Sequence, residues 1–207
     1  MFDETFVHVI QVITGYLRWQ KNLIQRMKAT CPHFMDSRWL SMGCLLNWLI
    51  DKRQDIQKHF CKQNLPYRPP DDWWMELFAL ANIVDTINIT FRALQGKQWL
   101  QDAQKQHLKK LQQELIQIVS ISTGGVELQD IPGVFQLGCF QVSMASAESF
   151  LLNLGSTYVI ELINTYKTRN EAHYKMLMER IANLFLHLVY RIHILESQRN
   201  ENNTAKV

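Results

Sequence analysis

Apolar residues recur at the spacing of an α-helix through most of the 207-residue sequence, and this periodicity constrains the fold most strongly. The pattern is clearest over 36–60, which opens with Asp36 and Ser37, whose short side chains can cap a helix N-terminus. Its apolar members include Trp39, Met42, Leu46, Leu49, Ile56 and Phe60. The whole chain has only 8 Gly and 5 Pro, too few for a turn-rich β-structure, so a helical protein is predicted.

The periodicity predicts an all-α fold, an irregular bundle of about six helices joined by mostly short connections. The predicted helices cover 3–29, 37–61, 73–94, 99–120, 143–166 and 171–197. One irregular segment, 121–142, interrupts them with two glycine-containing turn signals, and an ordered loop or a small hairpin is expected there. The length suits one domain, which we expect over 1–197, followed by a disordered polar tail over 198–207.

Positive charge is concentrated in the first third of the chain. Residues 1–70 carry ten Lys and Arg against five Asp and Glu, whereas 71–207 carry twelve against fourteen. A basic surface of this kind can face phosphate or an acidic protein, and it is also common on solvated helices.

The N-terminus is acidic where a secretory signal would be basic, and no apolar run reaches the roughly 18 residues that cross a bilayer. We therefore expect an intracellular protein without a membrane partner, with the nucleus favoured over the cytoplasm. The four cysteines have no tight repeated spacing, and Cys44 and Cys139 lie in apolar runs that predict burial.

No catalytic or metal site is predicted. Cys31 with His33 and His59 with Cys61 are zinc-type ligands, but they lie at opposite ends of a predicted helix about 30 Å long. Asp71 and Asp72 are adjacent, so their side chains diverge by about 100° on a helix and cannot face one substrate together. Their place at a predicted helix start explains both as capping residues. The sequence has neither a nucleophile elbow nor a phosphate-binding loop. We expect a protein that is not an enzyme, with no cofactor, metal or small-molecule substrate.

Two aromatic pairs are the candidate binding residues. Arg38 and Trp39 open a helix in the basic third, where a guanidinium can contact phosphate and an indole can stack on a base. The same Trp39 is in phase with the apolar stripe, so burial is the alternative. Trp73 and Trp74 are neighbours, and their side chains diverge by about 100°, so one ring needs a second helix, a loop or a partner protein.

Two phrases resemble proteins derived from hAT-family transposases, including vertebrate BED-finger and TFII-I-repeat relatives. The first, Arg38-Trp39-Leu40-Ser41 followed by Leu45-Leu46 and Trp48-Leu49, is similar to the family's Arg-Trp segment. The second, 91–97, is similar to a Leu-Gln-Gly-Lys phrase of the transposase-derived relatives. The resemblance extends over about 36–120.

The resemblance implies an origin in the all-helical insertion domain of these transposases, without their RNase H-like core, catalytic acids or BED finger. It implies a DNA-contact role at Arg38 and Trp39. We expect an interaction module that binds a protein partner or itself, with Trp73 and Trp74 as interface candidates. The first alternative is residual DNA binding through Arg38, Trp39, Lys52, Arg53 and Lys58. The second is a fragment that needs a separate RNase H-like core.

Overall fold

The computed structural model describes residues 4–33, 39–65, 68–95, 101–122 and 141–204. Within these ranges every regular element is a helix, which confirms the all-α prediction. Nine helices are described where six were predicted. They are α1 (Glu4–Leu17), α2 (Lys21–Met27), α3 (Trp39–Asp51), α4 (Arg53–Gln63), α5 (Asp71–Gln95), α6 (Gln101–Ile118), α7 (Met144–Asn153), α8 (Thr157–Arg169) and α9 (Glu171–Thr204).

The number rises to nine because three predicted helices are each divided in two. The first division lies between α1 and α2, where Trp19 and Gln20 donate backbone bonds to carbonyls three residues back and tighten the last turn of α1. The buried Leu17 and Leu23 are six residues apart, about 240° around a straight helix. The turn at 18–20 brings both side chains into the core.

The second division is a kink at Lys52, between α3 and α4. Lys52 has φ −94° and ψ 4°, away from helical values. The bonds from Lys52 N to Trp48 O and from Ile56 N to Lys52 O, both 3.0 Å, continue across it. The apolar phase is also kept, because Leu49 and Ile56 are two full turns apart. The predicted central helix is therefore bent rather than broken.

The third division separates α7 from α8 at Gly155. Its φ of +68° is left-handed, a conformation that glycine adopts at little cost. Ser156 then caps α8, since its Oγ accepts a bond from Val159 N at 3.5 Å. A Gly stop followed by a Ser start is a recognised sequence signal, and the prediction of one helix over 143–166 overlooked it.

Two predicted segments lie partly outside the described residues. Of the irregular segment 121–142, only its ends are described, and an antiparallel bridge joins Ser122 to Gln141. The prediction of a loop or a hairpin at its centre concerns 123–140, which lie outside the described residues. At the C-terminus α9 continues to Thr204, so 198–204 of the predicted tail are helical.

The chain folds as two compact units, Phe2–Asn88 and Ile89–Val207, with the boundary inside α5. We call them the N-terminal and the C-terminal unit. The single domain expected over 1–197 stays a prediction.

The first part of α5 is the core helix of the N-terminal unit. Ten of its apolar side chains are buried, from Trp73 to Ile87. They occupy several sides of the helix, because three of them follow one another directly at 73–75. The other helices of the unit bury one stripe each. Those stripes include Ile10 and Ile13 of α1, Leu23 of α2, Leu45 and Leu49 of α3, and Ile56 and Phe60 of α4.

Helices α3 and α5 approach closely at Gly43. A Cβ atom at this buried glycine would overlap Asn88 Nδ2 and lie 3.2 Å from Asp85 Oδ1. One turn along α3, Asn47 Nδ2 donates to both carboxylate oxygens of Asp85, at 3.0 and 2.9 Å. The small residue thus allows a polar contact between two apolar helices.

The C-terminal unit is built on α9, which packs against α6, α7 and α8. Phe150 of α7 meets Phe185 of α9 edge to face, with ring centroids 4.8 Å apart. A polar cluster also joins three helices: Glu148 of α7 forms an ion pair with Lys167 of α8 and accepts a 2.5 Å bond from the hydroxyl of Tyr174 on α9. The side chain of Glu148 is only 19% exposed, so these bonds compensate the burial of its charge.

We predict opposite effects for alanine at two helical glycines. At Gly15, which is exposed and has no atom within 4 Å of a built Cβ, alanine should stabilise the protein by about 1 kcal/mol through its helix propensity. At Gly43 the same substitution should destabilise it by about 1–3 kcal/mol, because the methyl group overlaps Asn88. Urea unfolding followed by circular dichroism measures both, and equal effects at the two sites would contradict the close packing.

We also predict a pH-dependent contribution of the Glu148 cluster. Burial raises the pKa of Glu148, but the hydrogen bonds from Lys167 and Tyr174 and the Lys167 charge outweigh it and hold the pKa below its ordinary value. Its stabilisation is therefore complete above the ordinary glutamate pKa and is lost as the pH falls through the lowered value.

At pH 7 Tyr174→Phe should lower the free energy of unfolding by about 2 kcal/mol, the usual worth of a hydrogen bond to a charged group. The difference from wild type should shrink in acid, where Glu148 is protonated. Glu148→Gln is the control, because it removes the titrating group and should show the same convergence. A difference of constant size from pH 7 down to pH 3 would contradict the assignment.

Candidate binding surface on the N-terminal unit

The five predicted DNA-contact residues fall in different places. Arg38 and the side chain of Trp39 lie outside the described residues, so their DNA contact stays a prediction. Lys52 is half-buried at the kink, and Arg53 begins α4, where its Nη1 donates to Gln57 Oε1 at 2.7 Å. Lys58 is exposed on the outer side of α4.

Helix α4 has one buried and one solvent-facing side. Ile56 and Phe60 are buried, and the opposite side carries two amides, two ammonium groups and one thiol at positions i, i+3, i+4, i+7 and i+8. These residues are Gln54, Gln57, Lys58, Cys61 and Lys62, and we call them the α4 outer stripe. They line an open depression of about 540 Å³. The stripe contains no carboxylate, so it is positively charged.

Helices α1 and α2 contact α4 beside this stripe and hold the helix in place. The Tyr16 hydroxyl lies 2.9 Å from His59 Nε2, and its ring also packs on Phe60. Nearer the start of α4, Arg26 pairs with Asp55, Nε to Oδ1 at 3.3 Å, and donates to the Asp55 carbonyl at 3.1 Å. The side of α4 between its core and the outer stripe is thus held by polar contacts from both preceding helices.

The pKa of His59 reflects the positive charge of this region. Partial burial lowers the pKa of His59 most, and the nearby charges of Arg26 and Lys62 lower it further. His59 is therefore neutral at pH 7 and able to share its hydrogen bond with Tyr16.

Trp19 is an exposed indole that the sequence analysis did not single out. It lies in the turn between α1 and α2, and 83% of its surface is exposed. Among the described residues of the N-terminal unit, no other large apolar side chain is exposed. The only available signal was the phase change of the apolar pattern between Leu17 and Leu23, which places 18–20 outside the core.

Trp73 and Trp74, of which one ring was expected to need a second helix, a loop or a partner protein, are both buried within the chain, so neither is exposed as an interface residue. Trp73 is 5% exposed and Trp74 is fully buried. The two rings meet edge to face at 5.1 Å, and Phe6 of α1 stacks on Trp73 at 5.3 Å. Helix α1 thus supplies the second neighbour that a tandem tryptophan needs.

No group of three or more His, Cys, Asp or Glu that could hold a metal ion occurs among the described residues. Helix α5 is long and apolar enough over Asp71–Leu94 to cross a bilayer. A buried core helix has the same property, and the first part of α5 is such a helix, so this single helix is weak evidence for a membrane span within the part of the chain that the structure describes.

No protein-family model, curated protein or solved structure matches the chain.

The described cysteines differ in their exposure to solvent. Cys44 was expected to be buried but is exposed, since it lies on the side of α3 opposite the core residues Leu45, Leu46 and Leu49. Cys61 is exposed on the α4 outer stripe. Cys31 is 3% exposed, and burial raises its pKa to about 12, with a smaller opposing effect from Arg18. Cys139 lies outside the described residues.

We predict that iodoacetamide at pH 8 alkylates Cys44 and Cys61 in the folded protein and leaves Cys31 unmodified. The thiolate is the reactive form, and Cys31 is both protonated and shielded. Peptide mass mapping measures each site, and labelling in urea, where all three should react, is the control. Native labelling of Cys31 as fast as that of Cys61 would contradict the burial of Cys31.

Proposed function

We propose that this chain is a non-enzymatic helical interaction module that binds an acidic macromolecule through the N-terminal unit. The observation that carries the proposal is the α4 outer stripe, which presents Lys58 and Lys62 to solvent with no carboxylate between them. Neither lysine forms an ion pair with any residue that the structure describes. An acidic protein segment and a nucleic acid both meet this charge requirement.

The fold is consistent with a binding role rather than with catalysis. The half-buried carboxylate of Glu148 is engaged by Lys167 and Tyr174 in a cluster that joins three helices, which is a structural use. The depression beside α4 is open to solvent, unlike the enclosed pockets that bind small substrates. Binding of a macromolecule suits such a surface better.

The proposed ancestry is the all-helical insertion domain of an hAT-type transposase. It is supported by the Arg-Trp phrase at 38–39 and the Leu-Gln-Gly-Lys phrase at 94–97, together with the helices between them. In that setting the module would act without the transposase core, in a nuclear, intracellular location. The alternative of a fragment that needs a separate RNase H-like core predicts binding only after such a core is added.

DNA is the second candidate partner beside a protein, because Lys58 and Lys62 lie one turn apart on the exposed side of α4. Lys52 and Arg53, the other described cations of the DNA hypothesis, lie half-buried at the kink where α4 begins, and Arg53 is on the opposite side of the helix from Lys62. Cations spread along one helix can follow a phosphate backbone, which carries regularly spaced charges. An acidic protein surface would need a matching arrangement of carboxylates.

The test is fluorescence anisotropy of the full chain with two labelled ligands, a DNA duplex with a splayed end and a polyglutamate peptide, over a salt series. Wild type should bind at low salt, and binding should weaken as salt rises. Lys58→Ala/Lys62→Ala should make the slope of log K against log salt shallower by about 1.8 for the duplex, or 0.9 for each lost phosphate contact.

Lys109→Ala/Lys110→Ala is the matched control, because it removes two exposed lysines from α6 in the other unit and should leave the slope unchanged. If neither ligand binds at low salt, or if the control weakens binding as much as the α4 double variant, the proposed function is wrong.

A further inference from the structure

We infer that the N-terminal unit binds single-stranded nucleic acid, with an unpaired base stacked on Trp19 and the phosphates held by cations next to Trp19 and on α4. This inference names the partner of the surface proposed above and rests on that proposal. It assigns a binding role to Trp19 and Lys62, which no sequence motif singles out.

Trp19 lies three residues after Tyr16, whose side chain contacts α4. Its backbone N–H donates to Tyr16 O at 3.1 Å, and the Tyr16 hydroxyl lies 2.9 Å from His59 Nε2. His59 lies between Lys58 and Lys62 on α4. The turn that carries the exposed indole is therefore linked through Tyr16 to the C-terminal half of α4, which carries the two lysines of the stripe.

Cations also flank the indole along the chain. Arg18 precedes Trp19 and Lys21 begins α2, and both side chains are exposed. Arg26 is paired with Asp55, which neutralises the nearest carboxylate of α4. The region therefore combines one free aromatic face with four exposed cations, Arg18, Lys21, Lys58 and Lys62.

A single exposed ring among cations suits an unpaired base better than a protein surface. The centre of a protein–protein interface is a contiguous apolar patch depleted in charge. Here Trp19 is the one exposed large apolar side chain in the described part of the unit. A base needs only one ring to stack on, and its phosphates need separate cations nearby. In a duplex the faces of the bases are already stacked, so a duplex should use the lysines and not Trp19.

The fold does not explain the exposure of Trp19. With 83% of its surface in water, the ring adds little to the core, and the turn at 18–20 would close equally well with a polar residue. Truncating this side chain should therefore leave the stability unchanged, which makes the residue a clean probe of binding.

The test compares a labelled oligothymidylate, a duplex of the same length, the polyglutamate peptide and phosphatidylserine vesicles, each with the full chain over a salt series. Trp19→Ala should weaken binding of the oligothymidylate about tenfold, the usual effect of losing one stacked base, and leave the salt slope unchanged because a base is uncharged. Trp19→Phe should retain most of the affinity. Ile89→Ala, which truncates another strongly exposed apolar side chain, is the control and should have no effect.

Lys58→Ala/Lys62→Ala should act differently and reduce the oligothymidylate slope by about 1.4, or 0.7 for each phosphate. Salt-dependent binding that Trp19→Ala leaves intact would overturn the stacking inference and keep the proposed function. A preference for polyglutamate or for vesicles that depends on Trp19 would overturn it in favour of a protein or a membrane surface. Loss of all binding at low salt would overturn both.

Discussion

Burial of the first part of α5 on several sides is the constraint on which the N-terminal unit depends. Trp73, Trp74 and Met75 are consecutive and all buried, so no single neighbouring helix can cover them. Phe6 covers one ring from α1, and Gly43 lets α3 approach α5 closely. Because α1 and α3 each pack one side against α5, a polar side of each helix faces solvent. Helix α4 likewise buries Ile56 and Phe60 and leaves its outer stripe to solvent, so the core does not use the side chains of this stripe.

The helices were predictable from the sequence, and the breaks within them were not. The periodicity of the sequence shows each apolar stripe. A kink such as the one at Lys52 keeps the stripe in phase, so the apolar pattern does not reveal the kink. The phase change between Leu17 and Leu23 is present in the sequence, but the apolar residues on both sides of it have helical spacing, which predicts one continuous helix. At Gly155 the stop and start residues were also present, and the apolar pattern on both sides outweighed them.

The candidate surface was predictable in part. Charge counting located a basic first third, and Lys58 does lie exposed within it. The aromatic residues were assigned less well, because the burial of a tryptophan depends on which distant helix packs on it. Phe6 lies 67 residues before Trp73 in the chain, and only the tertiary fold shows that α1 covers that ring. Trp19 was passed over for the same reason, since neighbours in sequence do not show that nothing covers it.

The central claim is that the surface formed by Trp19 and the α4 outer stripe contacts nucleic acid directly. Photocrosslinking the full chain to an oligothymidylate with 4-thiothymidine, followed by peptide mass spectrometry, tests it. The account predicts adducts on Trp19 and on the peptide that contains 53–63, and their loss at high salt. Adducts confined to 89–207, or found only at Arg38 and Trp39, would contradict it.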